Sequence, residues 1–354
     1  MTRLSVCMRM WPLLAILGGI LLVPVAAWSA EDSGAKEQAQ RQLTQPGNNA
    51  PMWRDVREGA NPYQTTQVRG VETNILVQSG GQTWRELRNG PITLYGGLIL
   101  IVVPLLIFAF FRWKGPLSLH DKPTGRMIER FSDWERMVHW ATAISFVVLA
   151  VSGVIILFGK HVMLPVFGYT AFSWLAILSK NLHNFVGPLF VFCTLVMFVT
   201  FVRDNIWRAM DFAWLAKAGG LLGGHEVPAG RFNGGEKTWF WFGVTLLGIV
   251  VGATGLVLNF PNFAQTREIM QQANVIHAVA AVIFVAASLG HIYLGTVGMK
   301  GAYEAMRTGY VDETWAKEHH QVWYEEVKAG KARQGFADNA PVEVKTQIAE
   351  AIKA

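Results

Sequence analysis

Nine histidines and two cysteines supply the soft coordination chemistry open to this chain of 354 residues. The cysteines contribute little. Cys7 and Cys193 both lie within apolar stretches, so they form neither a disulfide framework nor a thiolate metal site, and the absence of any C-x-x-C-H excludes a covalently attached haem. The histidines divide into two groups. His139, His183, His277 and His291 fall inside or at the edge of long apolar runs, whereas His120, His161, His225, His319 and His320 lie in connections or in the tail. An ionisable side chain within a membrane span is rare and usually functional. A single one could serve as a helix-to-helix hydrogen bond. Four in one small bundle point to ligands.

The composition dictates what must position them. Hydrophobic residues make up 51% of the chain and charged residues only 16%, with a mean hydropathy of +0.27. Soluble domains carry about a quarter charged residues, so a disordered chain and most ordinary soluble enzymes are excluded. Five apolar spans occur in succession: Ile92–Phe111, Met137–Phe158, Leu182–Val202, Trp239–Phe260 and Val275–Val297. Each is near the roughly 20 residues that a helix needs to cross the hydrocarbon core. Ser132 and Glu135 have capping-box spacing ahead of the second span. The apolar segment Val162–Leu178 is interrupted by Pro165 and Gly168, which predicts an interfacial loop or helix.

Ahead of the spans, Arg3 and Arg9 precede an apolar run to Val25 and then small residues, a secretory signal pattern with cleavage expected after Ala27, Ser29 or Ala30. An uncleaved anchor helix is the alternative, and either one delivers the next residues outside the cytoplasm. The polar stretch after it reads as a tether or docking arm, disordered over Ala35–Asn49 and with some strand character at Val68–Val77. Basic residues crowd the connections 112–136 and 203–237, but only Lys160 and Lys180 lie in 159–181 and only Arg267 in 261–274. The positive-inside rule therefore puts the two basic connections and the C-terminal tail in the cytoplasm. The net charge of +6 is an orientation signal, because apolar spans separate the basic residues, and no nucleic-acid partner is expected.

The expected fold class is an all-α membrane protein: a four-helix transmembrane bundle, one extra N-terminal transmembrane helix and a signal peptide. The expected organisation is a signal peptide at 1–30, a polar extracytoplasmic segment at 31–91, the extra transmembrane helix at 92–112, a cytoplasmic connection at 113–136, the core at 137–298 and a cytoplasmic tail at 299–354.

This topology gives each histidine a depth. His183 and His277 lie near the outer ends of their spans, His139 and His291 near the inner ends. Fourteen residues separate His277 from His291, about 21 Å of rise and close to four turns, so both face one side. The depth-matched pairs are His183 with His277 and His139 with His291, on different helices. Two histidines per level suit a bis-imidazole haem, whose ring supplies four more nitrogens. Zinc, which wants three or four clustered protein ligands, suits them poorly. Gly153, Gly187, Gly248, Gly252 and Gly290 could admit a flat macrocycle or simply let helices pack closely. The run Arg231-Phe232-Asn233-Gly234-Gly235-Glu236-Lys237 could receive a quinone head group or form an ordinary turn beneath interfacial tryptophans.

At these residues the chain resembles the cytochrome b (gamma) subunit of membrane-bound formate dehydrogenase. The resemblance rests on Glu135-Arg136-Met137-Val138-His139-Trp140, Leu182-His183, Phe232-Asn233-Gly234-Gly235-Glu236-Lys237, Ile276-His277-Ala278 and Gly290-His291-Ile292-Tyr293. Lys300-Gly301 and Trp315-Ala316-Lys317-Glu318-His319-His320 extend it into the tail, so that it covers about residues 125–328. It implies four core helices holding two b-type haems, with His183 and His277 as axial ligands of the outer haem and His139 and His291 of the inner one. It also implies a quinone site (menaquinone or ubiquinone) at Asn233, Gly235 and His291. The implied partners are an iron–sulfur beta subunit and a molybdopterin or tungstopterin alpha subunit that oxidises formate outside the cytoplasm. This chain would then be the electron-transfer subunit of a formate:quinone oxidoreductase in a bacterial inner membrane, in contact with lipid and compatible with a higher-order oligomer. The N-terminus departs from the pattern, since compact family members begin near the position of Arg126. A haem b subunit of a nickel–iron hydrogenase or a thiosulfate reductase is the nearest alternative. A transporter or passive anchor with relay histidines is a third, disfavoured by core spans that contain no Asp or Glu.

Overall fold

Long apolar stretches in lipid can satisfy their backbone groups only as helices or closed barrels, and here they are helices. The computed structural model describes residues 79–220, 227–263 and 265–353. The signal pattern, the polar arm as far as residue 78 and the strand-like Val68–Val77 lie outside the described residues, as does His225.

Five helical runs are long and apolar enough to cross a membrane: Gly80–Lys114, Asp133–Val162, Leu164–Phe201, Gly234–Asn259 and Arg267–Gly298. The first joins α1 (Ser79–Leu87) through a π-helical turn at Arg88–Ile92, which contains Pro91, to α2 (Thr93–Lys114). The second is α3 (Asp133–Val162), opened by the capping box that the sequence announces. Glu135 Oε2 accepts from the Ser132 amide at 2.9 Å, while Ser132 Oγ accepts from the Glu135 amide at 3.4 Å. The third is α4 (Leu164–Phe201). Here the expected interfacial segment is only partly separate: Gly168, at φ 72°, breaks the helix at one residue, and helix resumes directly into the span. Pro165 does not interrupt it, because it lies in the first turn, where its missing amide proton is no loss.

After the short α5 (Ala209–Ala216), the fourth run passes from α6 (Gly234–Thr238) through a π segment at Trp239–Leu247 into α7 (Gly248–Asn259). The fifth is α8 (Arg267–Tyr293), ending in a π turn at Leu294–Gly298. The helices α3 and α4 pack along each other, α7 packs on both α4 and α8, and α2 lies against α8. At this last contact a Cβ on Gly96 would stand 3.2 Å from Val282 Cγ2, and Trp84 Nε1 donates to Asn274 Oδ1 at 3.1 Å. Outward positions are apolar, such as Ile101, Leu106 and Leu195, while Thr142, Ser145, Ser152 and Ser288 are buried. That inversion of the soluble pattern fits a lipid surround.

One end of the bundle carries a polar cap. It is built from β1 (Met127–Glu129), α9 (Ala302–Thr308), β2 (Tyr310–Asp312), α10 (Glu313–His319), α11 (Gln321–Lys328) and α12 (Val342–Lys353). The two strands pair antiparallel, Ile128 opposite Val311. Ile128, Phe131, Val311, Trp315, Ala316, Trp323 and Val327 form its buried core together with Phe201 and Phe240 from the helix ends. Ion pairs of buried cations then tie the loops together: Arg231 with Glu135 (2.8 Å) and with Asp204, Arg130 with Glu236 (2.9 Å), and Lys237 with Asp211 (2.7 Å).

Candidate functional site: two histidine pairs at two levels

Helix direction brings the four bundle histidines together in two pairs. His139, in the second turn of α3, meets His291, near the end of α8, with ring centroids 6.3 Å apart; this pair lies at the cap end. His183 on α4 meets His277 on α8 with centroids 6.1 Å apart, towards the opposite end. A metal–imidazole bond is about 2.0 Å, so two imidazoles on opposite sides of one metal ion have centroids roughly 6 Å apart. Both pairs have that separation. Among the described residues no group of three or more His, Cys, Asp or Glu side chains is gathered for a metal. Each level therefore gathers two imidazoles, and a group that brings its own ring nitrogens, such as a b-type haem, would fit that donor set.

The surroundings of the two levels differ. His183 Nδ1 is 2.9 Å from Ser152 Oγ, and His277 Nδ1 is 3.0 Å from Thr254 Oγ1. A Cβ on Gly153 or Gly255 would stand 3.2 Å from the Cε1 of His183 or His277, so these two glycines clear the space for the rings. At the cap level His139 Nδ1 is buried without a hydrogen-bond partner, and the His291 ring stacks on Trp239 at 4.8 Å with an 11° tilt. Between the levels sits an aromatic layer in which Phe284 packs on Phe146 (4.7 Å), Phe190 and Trp239.

The glycines left ambiguous by sequence now separate. Gly248 and Gly252 pack α7 onto α4, each would-be Cβ 3.1 Å from Thr194 or Val191, whereas Gly187 and Gly290 have no atom within 4 Å of theirs. Ser152, Thr254, Gly255 and Trp239 were not found by sequence reasoning. The signal was present as a small hydroxyl followed by glycine, Ser152-Gly153 and Thr254-Gly255, but hydroxyls in apolar helices ordinarily bond back to their own helix.

Asn233 and Gly235 lie at the cap end, where the fold gives both a structural task. Asn233 caps α6, its Oδ1 accepting from the Glu236 amide at 2.9 Å while Glu236 Oε2 accepts from the Asn233 amide. A Cβ on Gly235 would stand 2.9 Å from the Trp214 ring of α5. The side-chain amide donors of Asn233 are not used by this cap. A cleft of about 780 Å³ opens nearby between the start of α3, the end of α4 and Arg333, lined by Glu129, Ser132, Glu135 and Val199 among others, but by none of the expected site residues.

Two tail histidines lie in the cap, His320 buried and His319 half-buried. His320 Nδ1 is 2.7 Å from the Gly230 carbonyl, and its Nε2 faces Glu236 Oε2 at 4.0 Å. Burial, with Arg130 nearby, holds His320 well below the ordinary histidine range. Burial also lowers His319 to about 4, against a smaller opposing effect of Glu318. Arg130 itself is lowered from the usual arginine range, by burial first. His120 is at the surface, its Nδ1 3.3 Å from Glu318.

Residues 130–309 match the family model described as prokaryotic cytochrome b561. The cytochrome b556 subunit of the nitrate-inducible formate dehydrogenase of Escherichia coli K12 is 31% identical over 215 residues, 59% of this chain and 95% of that protein. A second formate dehydrogenase cytochrome b556 subunit from the same strain is 32% identical over 210 residues, 57% of this chain and 93% of its own length. One from Haemophilus influenzae is 25% identical over 225 residues, covering 60% and 89%. All four bundle histidines fall within the family match.

Proposed function

Because the chain belongs to the prokaryotic cytochrome b561 family, we propose that it is the multi-pass membrane subunit of a formate dehydrogenase, carrying electrons across the bilayer to quinone. The observation that supports this most is the pair of two-histidine levels, each with the ring separation a six-coordinate haem needs. His183 and His277 would hold one haem b and His139 and His291 the other. When bound, each haem supplies reversible one-electron chemistry. The chain's own work is to bind, orient and insulate. The helices fix the imidazoles at two depths, and the layer of Phe146, Phe190 and Phe284 keeps water from the space between them.

Electrons would enter at the His183/His277 end from an iron–sulfur partner fed by a molybdopterin or tungstopterin subunit, and leave at the cap end. The relatives' names favour formate as the ultimate donor. Quinone would be reduced beside His291, with the amide donors of Asn233 toward a quinone carbonyl and Gly235 keeping that loop tight against Trp214. The clustering of basic residues in the cap connections supports a cytoplasmic position for that end, so protons for quinol would come from that side. A reduced-minus-oxidised spectrum of membranes holding the complex, with formate as reductant, tests the reading. A b-type band of two haems per chain, reoxidised by added quinone analogue, is expected. Reduction by hydrogen instead of formate, or reoxidation of the reduced haems by thiosulfate, would reassign the partner, and no haem band would sink the reading.

A further inference from the structure

The hydroxyls at the His183/His277 level fix more than ring orientation. Each has one proton, and each is placed to donate it to its own helix: Ser152 to the Val148 carbonyl at 2.7 Å, Thr254 to the Val250 carbonyl at 2.6 Å. With each hydroxyl proton directed to its own helix, the hydroxyl oxygen is left to accept from Nδ1, which leaves Nε2 as the bare lone pair that a metal takes. The same hydroxyl and glycine recur at 152 and 153 on α3 and at 254 and 255 on α7. At the cap level His139 Nδ1 has no such partner, and His291 is held by the face of Trp239.

We propose that Ser152 and Thr254 are positioning residues that separate the two haem potentials, lowering that of the haem held by His183 and His277; this rests on the haem reading above. An imidazole that donates from Nδ1 is a more basic ligand through Nε2, which favours the oxidised metal and lowers its potential. His139 lacks that bond, so the potential rises from the His183/His277 level towards the cap, the direction electrons take if quinone is reduced there.

The test is a spectroelectrochemical titration of the purified, haem-loaded full-length protein. The wild type is expected to show two midpoint potentials. In Ser152→Ala and in Thr254→Val the lower midpoint rises, it rises further in the double variant, and the higher midpoint stays in place. Ser152→Thr and Thr254→Ser restore the wild-type value. Retention of both haems with an unmoved lower midpoint, or movement of the higher one instead, overturns the inference. Should Ser152→Ala fail to hold haem, Ser152→Cys keeps a weak acceptor and is expected to give an intermediate rise; an unchanged midpoint there counts against it equally. A pyridine haemochrome assay of the same wild-type sample separates the two failures, since fewer than two haems per chain would defeat the haem reading itself.

Discussion

The two ends of the bundle solve one problem, holding a pair of imidazoles on different helices, by different means. At the His183/His277 end the rings are held from within the bundle, by hydroxyls and glycines on the neighbouring helices α3 and α7. At the His139/His291 end the rings receive no such grip, and the helix ends are pinned from outside by the cap, its aromatic core and its ion pairs. Local hydrogen bonding tunes a ligand. A surrounding domain fixes a place where a substrate can arrive. On the proposed function, the difference would suit one level for electron entry and the other for exchange with quinone.

Substitutions can break this contrast, and the ligands themselves give the largest effect. His277→Ala should remove one of two haems and stop quinol formation, leaving the cap intact. His291→Ala should remove the other haem and the quinone reaction together. Pyridine haemochrome counts with a formate-driven quinone assay check both. Two haems retained in purified His277→Ala would falsify the ligand assignment.

Next comes Arg231→Gln. It strips a guanidinium only 7% exposed from Glu135, which is 6% exposed, and from Asp204. Breaking a buried pair by removing one partner costs about 3–5 kcal/mol. The loss should appear as earlier thermal disruption of the cap-end haem spectrum, with the other haem persisting to higher temperature.

Acidification should act on the same end. His319, lowered to about 4, and His320, held well below the ordinary histidine range, are neutral in the folded cap near neutral pH. Between an ordinary histidine value of about 6.5 and pH 4 the unfolded chain binds protons that the folded cap refuses, so stability falls as pH falls through that window. Thermal melts at stepped pH should show the cap-end transition moving down first, and His320→Gln should blunt that slope.

The smallest effect compares two glycines. Gly255→Ala places a methyl group 3.2 Å from His277 and should shift the low-spin electron paramagnetic signal of one haem, while Gly97→Ala on α2, whose added methyl would meet Phe158 at 3.5 Å and no histidine, should leave both signals alone.

Much of this was legible in the residues because helices crossing a bilayer obey few rules. Hydropathy placed the spans, charge ordered them, and the rise per residue then fixed which histidines share a level. Ser132 and Glu135 announced the start of α3 because a capping box is local. The cap was hidden for the opposite reason: β1 and β2 are three residues each, and their pairing joins Met127 to Asp312 across the whole bundle. The π segment carrying Trp239 was equally invisible, since one extra residue per turn leaves no mark on an apolar pattern. Ser152 and Thr254 escaped because their partners are set by helix rotation, which sequence does not specify.

Helix α4 carries a consequence for the bilayer itself. From Tyr169 to Phe201 it is unbroken, about 50 Å of rise at 1.5 Å per residue. A 30 Å hydrocarbon layer covers only about 26 of those residues even at a 40° tilt, near the upper end of what transmembrane helices adopt. About two turns must therefore stand proud of the acyl chains, divided between the end that enters the cap at Phe201 and the remote end. Tyr169 and Trp174, 74% and 72% exposed, would lie at headgroup depth, where such side chains anchor a helix against sliding.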